Sequence, residues 1–284
     1  MDTQMDLPRT PSFRLETKRA LVAGASSGIG LAASVALGEA GAHVVLAARS
    51  LDKLNAIVGQ MTKQGMSAEA LQLDVSDIEK MEADISSQSS FDILVNSAGL
   101  ARHTKAVDTD LYDYDAVMNL NLRGAYFLTR TVAKGLLEAG KPGSLMNITS
   151  QMGHVGGIER AVYCASKFGV EGFTKAMAIE FGPDAIRINS IAPTFIRTPL
   201  GAVTLQDPEK RKWIEDKIKL NRVGEVEDIM GAVTFLASDA SALITGTSLL
   251  IDGGQAYCYL NFSGPSLVST LLQNLKDSEE KKRV

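Results

Sequence analysis

Short runs of apolar and β-branched residues alternate along this chain with longer stretches in which apolar side chains recur every three or four positions. The short runs fall at residues 19–24 (RALVAG), 42–48 (AHVVLAA), 69–75 (EALQLDV), 92–99 (DILVNSAG), 143–149 (GSLMNIT), 186–193 (IRINSIAP) and 248–254 (SLLIDGG). The longer stretches, at 29–40, 51–64, 111–139, 163–181 and 225–237, carry helical periodicity. Strand runs joined by amphipathic crossovers predict an α/β fold, a doubly wound seven-stranded parallel sheet flanked by helices on both faces. No repeat, low-complexity segment or Pro/Gly linker divides the chain, so one domain is expected over 18–256. An arm at 1–17 precedes it, an extension at 257–284 follows it, and the less regular connection at 194–221 predicts a short helical lid.

Composition narrows the function. The chain has 284 residues, of which 45% are hydrophobic and 22% charged, enough to bury a large core. A formal net charge of −4 with scattered Lys and Arg leaves no basic field for nucleic acid, so no nucleic-acid partner is expected. Cys164 and Cys258 are too few for a disulfide framework, the first residues (MDTQMDLPRTPSFR) lack the apolar run of a signal peptide, and no apolar stretch approaches a membrane span. The expectation is a cytoplasmic protein with no membrane partner and no metal site.

Two motifs carry chemistry. The first strand runs into AGASSGIG, residues 23–30, before a helical stretch. Gly24, Gly28 and Gly30 let the backbone turn sharply and approach a ligand, and the helix N-terminus offers free N–H groups and a positive dipole end to phosphate. A glycine turn between strand and helix is the Rossmann-like setting for a dinucleotide, an ordinary tight turn being the alternative. Further on, YCASK places the Tyr163 phenol and the Lys167 ammonium four residues apart on one helical face, a spacing that many solvated helices share. Ser150 ends the fifth apolar run thirteen residues earlier, at the edge where parallel sheets present ligands, although a lone Ser there is usually a cap or turn residue.

Taken together with NSAG (96–99), NLNLRG (119–124), NITS (147–150), NSIAPTFIRTP (189–199) and LLIDGG (249–254), these motifs resemble the classical short-chain dehydrogenase/reductase family from about residue 18 to 254. The glycine spacing is G-x-x-x-G-x-G, and three positions depart from the commonest forms: Ala23 for Thr, Ser97 for a second Asn, and Thr194 for Gly. The resemblance implies hydride transfer between a nicotinamide and a ketone or secondary alcohol. It makes Tyr163 the general acid or base, with Lys167 lowering the phenol from its usual pKa of about 10 and holding the nicotinamide ribose. Ser150 would donate to the substrate oxygen, and Asn121 would help hold a water that links Lys167 to solvent. The cofactor set is Gly24, Ser26, Ser27, Gly28, Ile29, Gly30, Arg49, Asp74, Val75, Asn96, Ala98, Gly99, Tyr163, Lys167, Pro193, Ile196 and Thr198, the last near the carboxamide.

Arg49, where an acid would select NAD, can pair with a 2′-phosphate, so NADP is favoured with NAD as second choice; stacking on adenine or solvation are the alternatives for Arg49. Asp74 either contacts adenine or caps the following helix, or does both. Ser150, Gln151, His154 and Tyr163 form the expected substrate pocket, and with Arg102 they suggest a small ketone or polyol. A 3-oxoacyl thioester of an acyl carrier is the alternative, although Lys105, Arg197, Arg211 and Lys212 form no obvious basic patch. A non-catalytic NADP sensor would not need the set Asn121, Ser150, Tyr163 and Lys167. Trp213 is expected to pack within its own lid helix. Leu267, Leu271, Leu272 and Leu275 suggest a C-terminal amphipathic helix serving a homotetramer or homodimer, the alternative being an inert tail.

Overall fold

The computed structural model describes residues 7–257; the C-terminal stripe of leucines and Cys258 lie outside the described residues. Seven strands form one sheet: β1 (Arg19–Ala23), β2 (His43–Ala48), β3 (Ser67–Gln72), β4 (Ile93–Asn96), β5 (Gly143–Ile148), β6 (Ile186–Pro193) and β7 (Ser248–Ile251). Their order is β3-β2-β1-β4-β5-β6-β7 and every pairing is parallel. The chain winds outward from β1 to β3, returns beside β1 as β4, and winds the other way. That reversal opens a crevice beyond the carboxyl ends of β1 and β4.

Strand periodicity distributes the core. Ala20, Val22, Val44 and Leu46 face one side, packing with α1 (Gly28–Glu39), α2 (Leu51–Lys63) and α9 (Glu227–Ala237). Leu21, Ala23, Val45 and Ala47 face the other side, packing with α3 (Ile78–Ser86), α5 (Ala125–Ala139) and α6 (Ala161–Phe181). Strands buried on both faces read as unbroken apolar runs, which is why they stand out in the sequence. The N-terminal arm is tied in as well: Leu15 is buried, and its N–H donates to the Ala40 carbonyl at 2.8 Å.

Two helical expectations change. The stretch 111–139 is not one helix: α4 (Leu111–Met118) passes into a π-helical turn, Asn119–Gly124, before α5 resumes. Gly124 lets that turn come close to the loop after β3, since a Cβ there would stand 2.7 Å from the Val75 carbonyl. The helix after β3 is capped by Asp77, whose carboxylate accepts from the Lys80 N–H at 3.2 Å, and not by Asp74. The lid segment contains α7 (Pro199–Leu205) and α8 (Pro208–Lys217), with Leu205, Ile214, Ile218 and Val223 forming a small core of their own. Trp213 is not packed inside it: 56% of its surface is exposed, and Lys217 sits over its ring.

Gly30 sets how closely α1 meets the turn after β1, because a Cβ there would collide with the Gly24 carbonyl. Gly30→Ala is expected to cost about 1–3 kcal/mol by overpacking, a drop of several degrees in melting temperature. An unchanged melting curve by calorimetry would show that the turn has slack.

Candidate active site

The carboxyl ends of β1, β2, β4, β5 and β6 open onto a single cleft of about 980 Å³. At its centre the turn after β1 is held in conformations that suit glycine. Gly24 has φ +78°, and a Cβ would stand 2.8 Å from the Ala98 N; Gly28 has φ +55°, and its Cβ would press on Thr198 at 3.2 Å. Ser26, Ser27 and Ile29 line the same cradle, and Thr198 caps α7 by accepting from the Gly201 N–H at 3.3 Å. At one end of the cleft stand Arg49 and Lys53, with Asp74 facing them. Burial works against the Asp74 carboxylate, but bonds from the Ser76 N–H (2.9 Å) and hydroxyl (2.6 Å), helped by the Arg49 charge, keep its pKa below the usual value.

The other end holds Ser150, Tyr163 and Lys167. Ser150 also acts as a local cap, accepting from the Met152 N–H at 3.1 Å. Lys167 is buried, its ammonium 5.6 Å from the centre of the Tyr163 ring and donating to the Ile148 carbonyl at 3.0 Å. Burial brings the Lys167 pKa down to about 8, with the Glu171 carboxylate one turn later opposing it. Burial likewise pushes the Tyr163 phenol above 10, with the Ser150 hydroxyl and the Arg160 charge pulling the other way. The expected lowering of this phenol is therefore not the balance found here: desolvation outweighs the Ser150 hydrogen bond and the Arg160 charge.

Beneath Lys167 lies a buried polar network. Glu171 accepts from the hydroxyls of Thr149 (2.5 Å), Ser190 (2.7 Å) and Ser248 (3.0 Å), and His154 reaches the same group, 2.8 Å from the Ser248 oxygen and 3.5 Å from Glu171. His154 therefore does not line the cleft, contrary to its expected place in the pocket; the buried carboxylate draws it to the far side of its turn. Arg102 is likewise engaged elsewhere, paired with Asp113 and stacked over Tyr112.

Asn121 does not line the cleft either. From the π-helical turn its side chain clasps the backbone of the loop after β4, accepting from the Leu100 N–H and donating to the Leu100 carbonyl, both at 2.8 Å, and donating to the Ser166 hydroxyl at 3.3 Å. Gly99 stays close to both, since its Cβ would lie 3.3 Å from the Asn121 Oδ1 and 3.9 Å from the Lys167 Nζ. Asn96 is buried in the sheet, donating to Asn147 at 3.1 Å and accepting from the Ala98 N–H at 3.2 Å, and Gly30 packs behind the cradle. Gly24, Gly28, Arg49, Asp74, Val75, Ala98, Gly99, Gln151, Pro193, Ile196 and Thr198 all line the cleft. So do Lys53, His103, Arg123, Arg160 and Phe195, which the sequence reading passed over. Arg160 had one available signal, its place three residues before Tyr163; Glu171, four after Lys167, had another.

A cradle of glycines at a sheet switch point beside a Ser-Tyr-Lys cluster defines a class of oxidoreductase fold, and the comparisons agree. The family model described as enoyl-(acyl carrier protein) reductase matches residues 24–256. The L-xylulose reductase of Bos taurus is 36% identical over 242 residues, 85% of this chain and 98% of that protein. The D-threitol dehydrogenase of Mycolicibacterium smegmatis is 37% identical over 85% of this chain and 94% of its own. The crystal structure of a gluconate 5-dehydrogenase from Burkholderia cenocepacia in complex with NADP and tartrate superposes with TM-score 0.83 at 30% identity, covering 87% of this chain and 98% of that one. The chain belongs to the short-chain dehydrogenase/reductase family. It is an oxidoreductase acting on alcohol and ketone groups.

Glu171 is the acid that favours the charged form of Lys167. Glu171→Gln removes that support, so the lysine should lose its proton at lower pH and the alkaline fall of kcat/KM should begin at lower pH than in the parent. A profile superimposable on the parent's would exclude this coupling.

Proposed function

We propose that this enzyme interconverts a ketone and a secondary alcohol on a small hydroxylated molecule with NADP(H), Tyr163 passing the proton. The observation that carries the proposal is the convergence of Ser150, Tyr163 and the buried Lys167 on one cleft with the glycine cradle. The cradle fits a dinucleotide: Gly24 and Gly28 leave room that a Cβ would fill, and Arg49 and Lys53 bring cationic charge to the far end, where a 2′-phosphate would sit. When bound, the nicotinamide supplies or accepts the hydride. Gly24, Ser26, Ser27, Gly28 and Ile29 would hold the pyrophosphate, Asp74, Val75, Ala98 and Gly99 the adenosine side, and Lys167, Pro193, Ile196 and Thr198 the nicotinamide side.

In reduction, Ser150 donates a hydrogen bond to the carbonyl oxygen and Tyr163 delivers its proton there as negative charge develops; in oxidation Tyr163 takes the hydroxyl proton. A phenol with raised pKa suits the acid role at neutral pH, and the Lys167 cation stabilises the phenolate left behind. Asn121 fixes the loop that walls this end, and its bond to Ser166 ties it to α6. Gln151 lines the cleft with a buried Oε1 lacking a partner among the described residues, an acceptor suited to a substrate hydroxyl.

An acyl carrier partner is disfavoured. Arg197, Arg211 and Lys212 pair with Glu225, Glu215 and Asp216, so these three do not offer free charge to an acidic carrier. We further propose a homodimer or homotetramer. Exposed Tyr126, Phe168 and Ile179 on α5 and α6 offer an apolar face for it, which light scattering would test.

Tyr163→Phe should lower turnover by about 10² or more while NADPH still binds, because only the proton donor is removed. Ala48→Asp combined with Arg49→Val should move the kcat/KM ratio from NADP toward NAD by roughly 10² through lost pairing and added repulsion. Assays of ketones and polyols by NADPH absorbance check both. Near-normal turnover of the Phe variant, or a parent enzyme that already prefers NAD, would sink the corresponding assignment.

A further inference from the structure

Among the described residues most arginines are committed within the fold: Arg14, Arg19, Arg102, Arg130, Arg197, Arg211 and Arg222 each pair with a carboxylate, and Arg187 with three backbone carbonyls. Three that lack a carboxylate at ion-pair distance, Arg49, Arg123 and Arg160, line the cleft. Arg49 and Arg123 are exposed, whereas Arg160 is half-buried. Its hydrogen bond is a long one, 3.4 Å to the carbonyl of Glu159, whose own carboxylate is out in solvent.

The Glu159 charge favours the Arg160 cation, but burial outweighs it, so a half-buried guanidinium with no carboxylate at ion-pair distance gains from an arriving anion. The stem of Arg160 is packed in place. Gly157 leaves the space it needs, since a Cβ there would stand 3.1 Å from the Arg160 Cγ and 2.8 Å from Met152. Arg160 precedes Tyr163 by one turn of α6, and each ring or head group there feels its charge: it favours the Tyr163 phenolate, and along with partial burial it disfavours protonation of His103. His103 meets the Tyr163 ring edge-on with centroids 6.4 Å apart. Among the described residues, the carboxylate lining the cleft is that of Asp74, beside Arg49.

We infer that Arg160 binds a carboxylate carried by the substrate, and that the natural substrates are small polyhydroxy acids and their keto forms in preference to neutral polyols. One guanidinium balances one negative charge and matches the two oxygens of a carboxylate in its plane, whereas a phosphate dianion would call for more donors than this wall supplies. The inference rests on the proposed alcohol/ketone chemistry at Tyr163 and deepens it by naming the substrate class.

The test uses four- to six-carbon aldonates and the alditols of the same length, which differ only in carboxylate against CH₂OH at C1, with NADP and the full-length enzyme. The aldonates should be preferred in kcat/KM by at least tenfold. Arg160→Gln should abolish most of that preference, a fall of about tenfold or more in the aldonate/alditol ratio, chiefly through KM, and Arg160→Lys should restore part of it. Equal preference in the parent, an equal response of both substrate series to Arg160→Gln, or a preference for phosphorylated polyols would overturn the assignment. A second readout does not depend on turnover: in the presence of NADP, aldonates should raise the melting temperature of the parent and leave that of Arg160→Gln unmoved. Absence of that shift in the parent would also overturn it. A shift without turnover of any alcohol would instead refute the chemistry assigned to Tyr163 while sustaining the carboxylate site.

Discussion

The buried ammonium of Lys167 is the constraint around which the catalytic end of this fold is organised. Burial lowers its pKa from 10.5 to about 8, which corresponds to roughly 3 kcal/mol against the charged form. The fold opposes that penalty with the Ile148 carbonyl at the end of β5 and with Glu171 one turn along α6. Glu171 in turn needs donors, and it takes them from three strands or strand ends, Thr149, Ser190 and Ser248, so the charge beside Tyr163 is underwritten by the register of β5, β6 and β7. A half-satisfied network of this kind would be costly, which links the position of the ammonium to the integrity of the sheet edge.

The cleft is a cationic feature in a chain of net charge −4. Among the described residues, Arg49, Lys53, Arg123, Arg160 and Lys167 line it against one acid, Asp74. Such an arrangement draws anionic molecules to the carboxyl ends of the strands, where the α1 N-terminus and the Gly24 and Gly28 turn already favour phosphate. Away from the cleft, Arg14, Arg19, Arg102, Arg130, Arg197, Arg211 and Arg222 are each paired with a carboxylate.

Most of the fold was legible because both faces of the central sheet are covered, so β1, β2, β4, β5 and β6 read as apolar runs and most crossovers as helical stripes. The helix at 78–86 carries no apolar stripe that marks it, since only Met81 and Ile85 are fully buried in an otherwise charged segment, and the sequence hinted at it only through a cap assigned to Asp74. The π-helical turn at 119–124 was invisible because its apolar spacing fits an unbroken helix equally well; its only mark was Asn121 where a solvent-facing or core residue was expected. The spacing of Tyr163 and Lys167 is one that many solvated helices share; they were singled out by the motifs around them and the resemblance those carry, and both line the cleft. His154 was misplaced because the groups that hold it, Glu171 and Ser248, lie on other elements and could not be read from the local sequence. Arg160 was overlooked for the complementary reason: a lone arginine on a turn resembles any solvated cation until the walls around it are known.

The central claim is that Lys167 is an ammonium held in a buried site and supported from below. Direct titration of its side-chain nitrogen by NMR, on protein labelled at lysine and assigned with Lys167→Met, measures this without reference to any substrate. A pKa near 8 is expected. A value at the ordinary 10.5 would show that the ammonium is solvated, and would contradict the account of how this site is built.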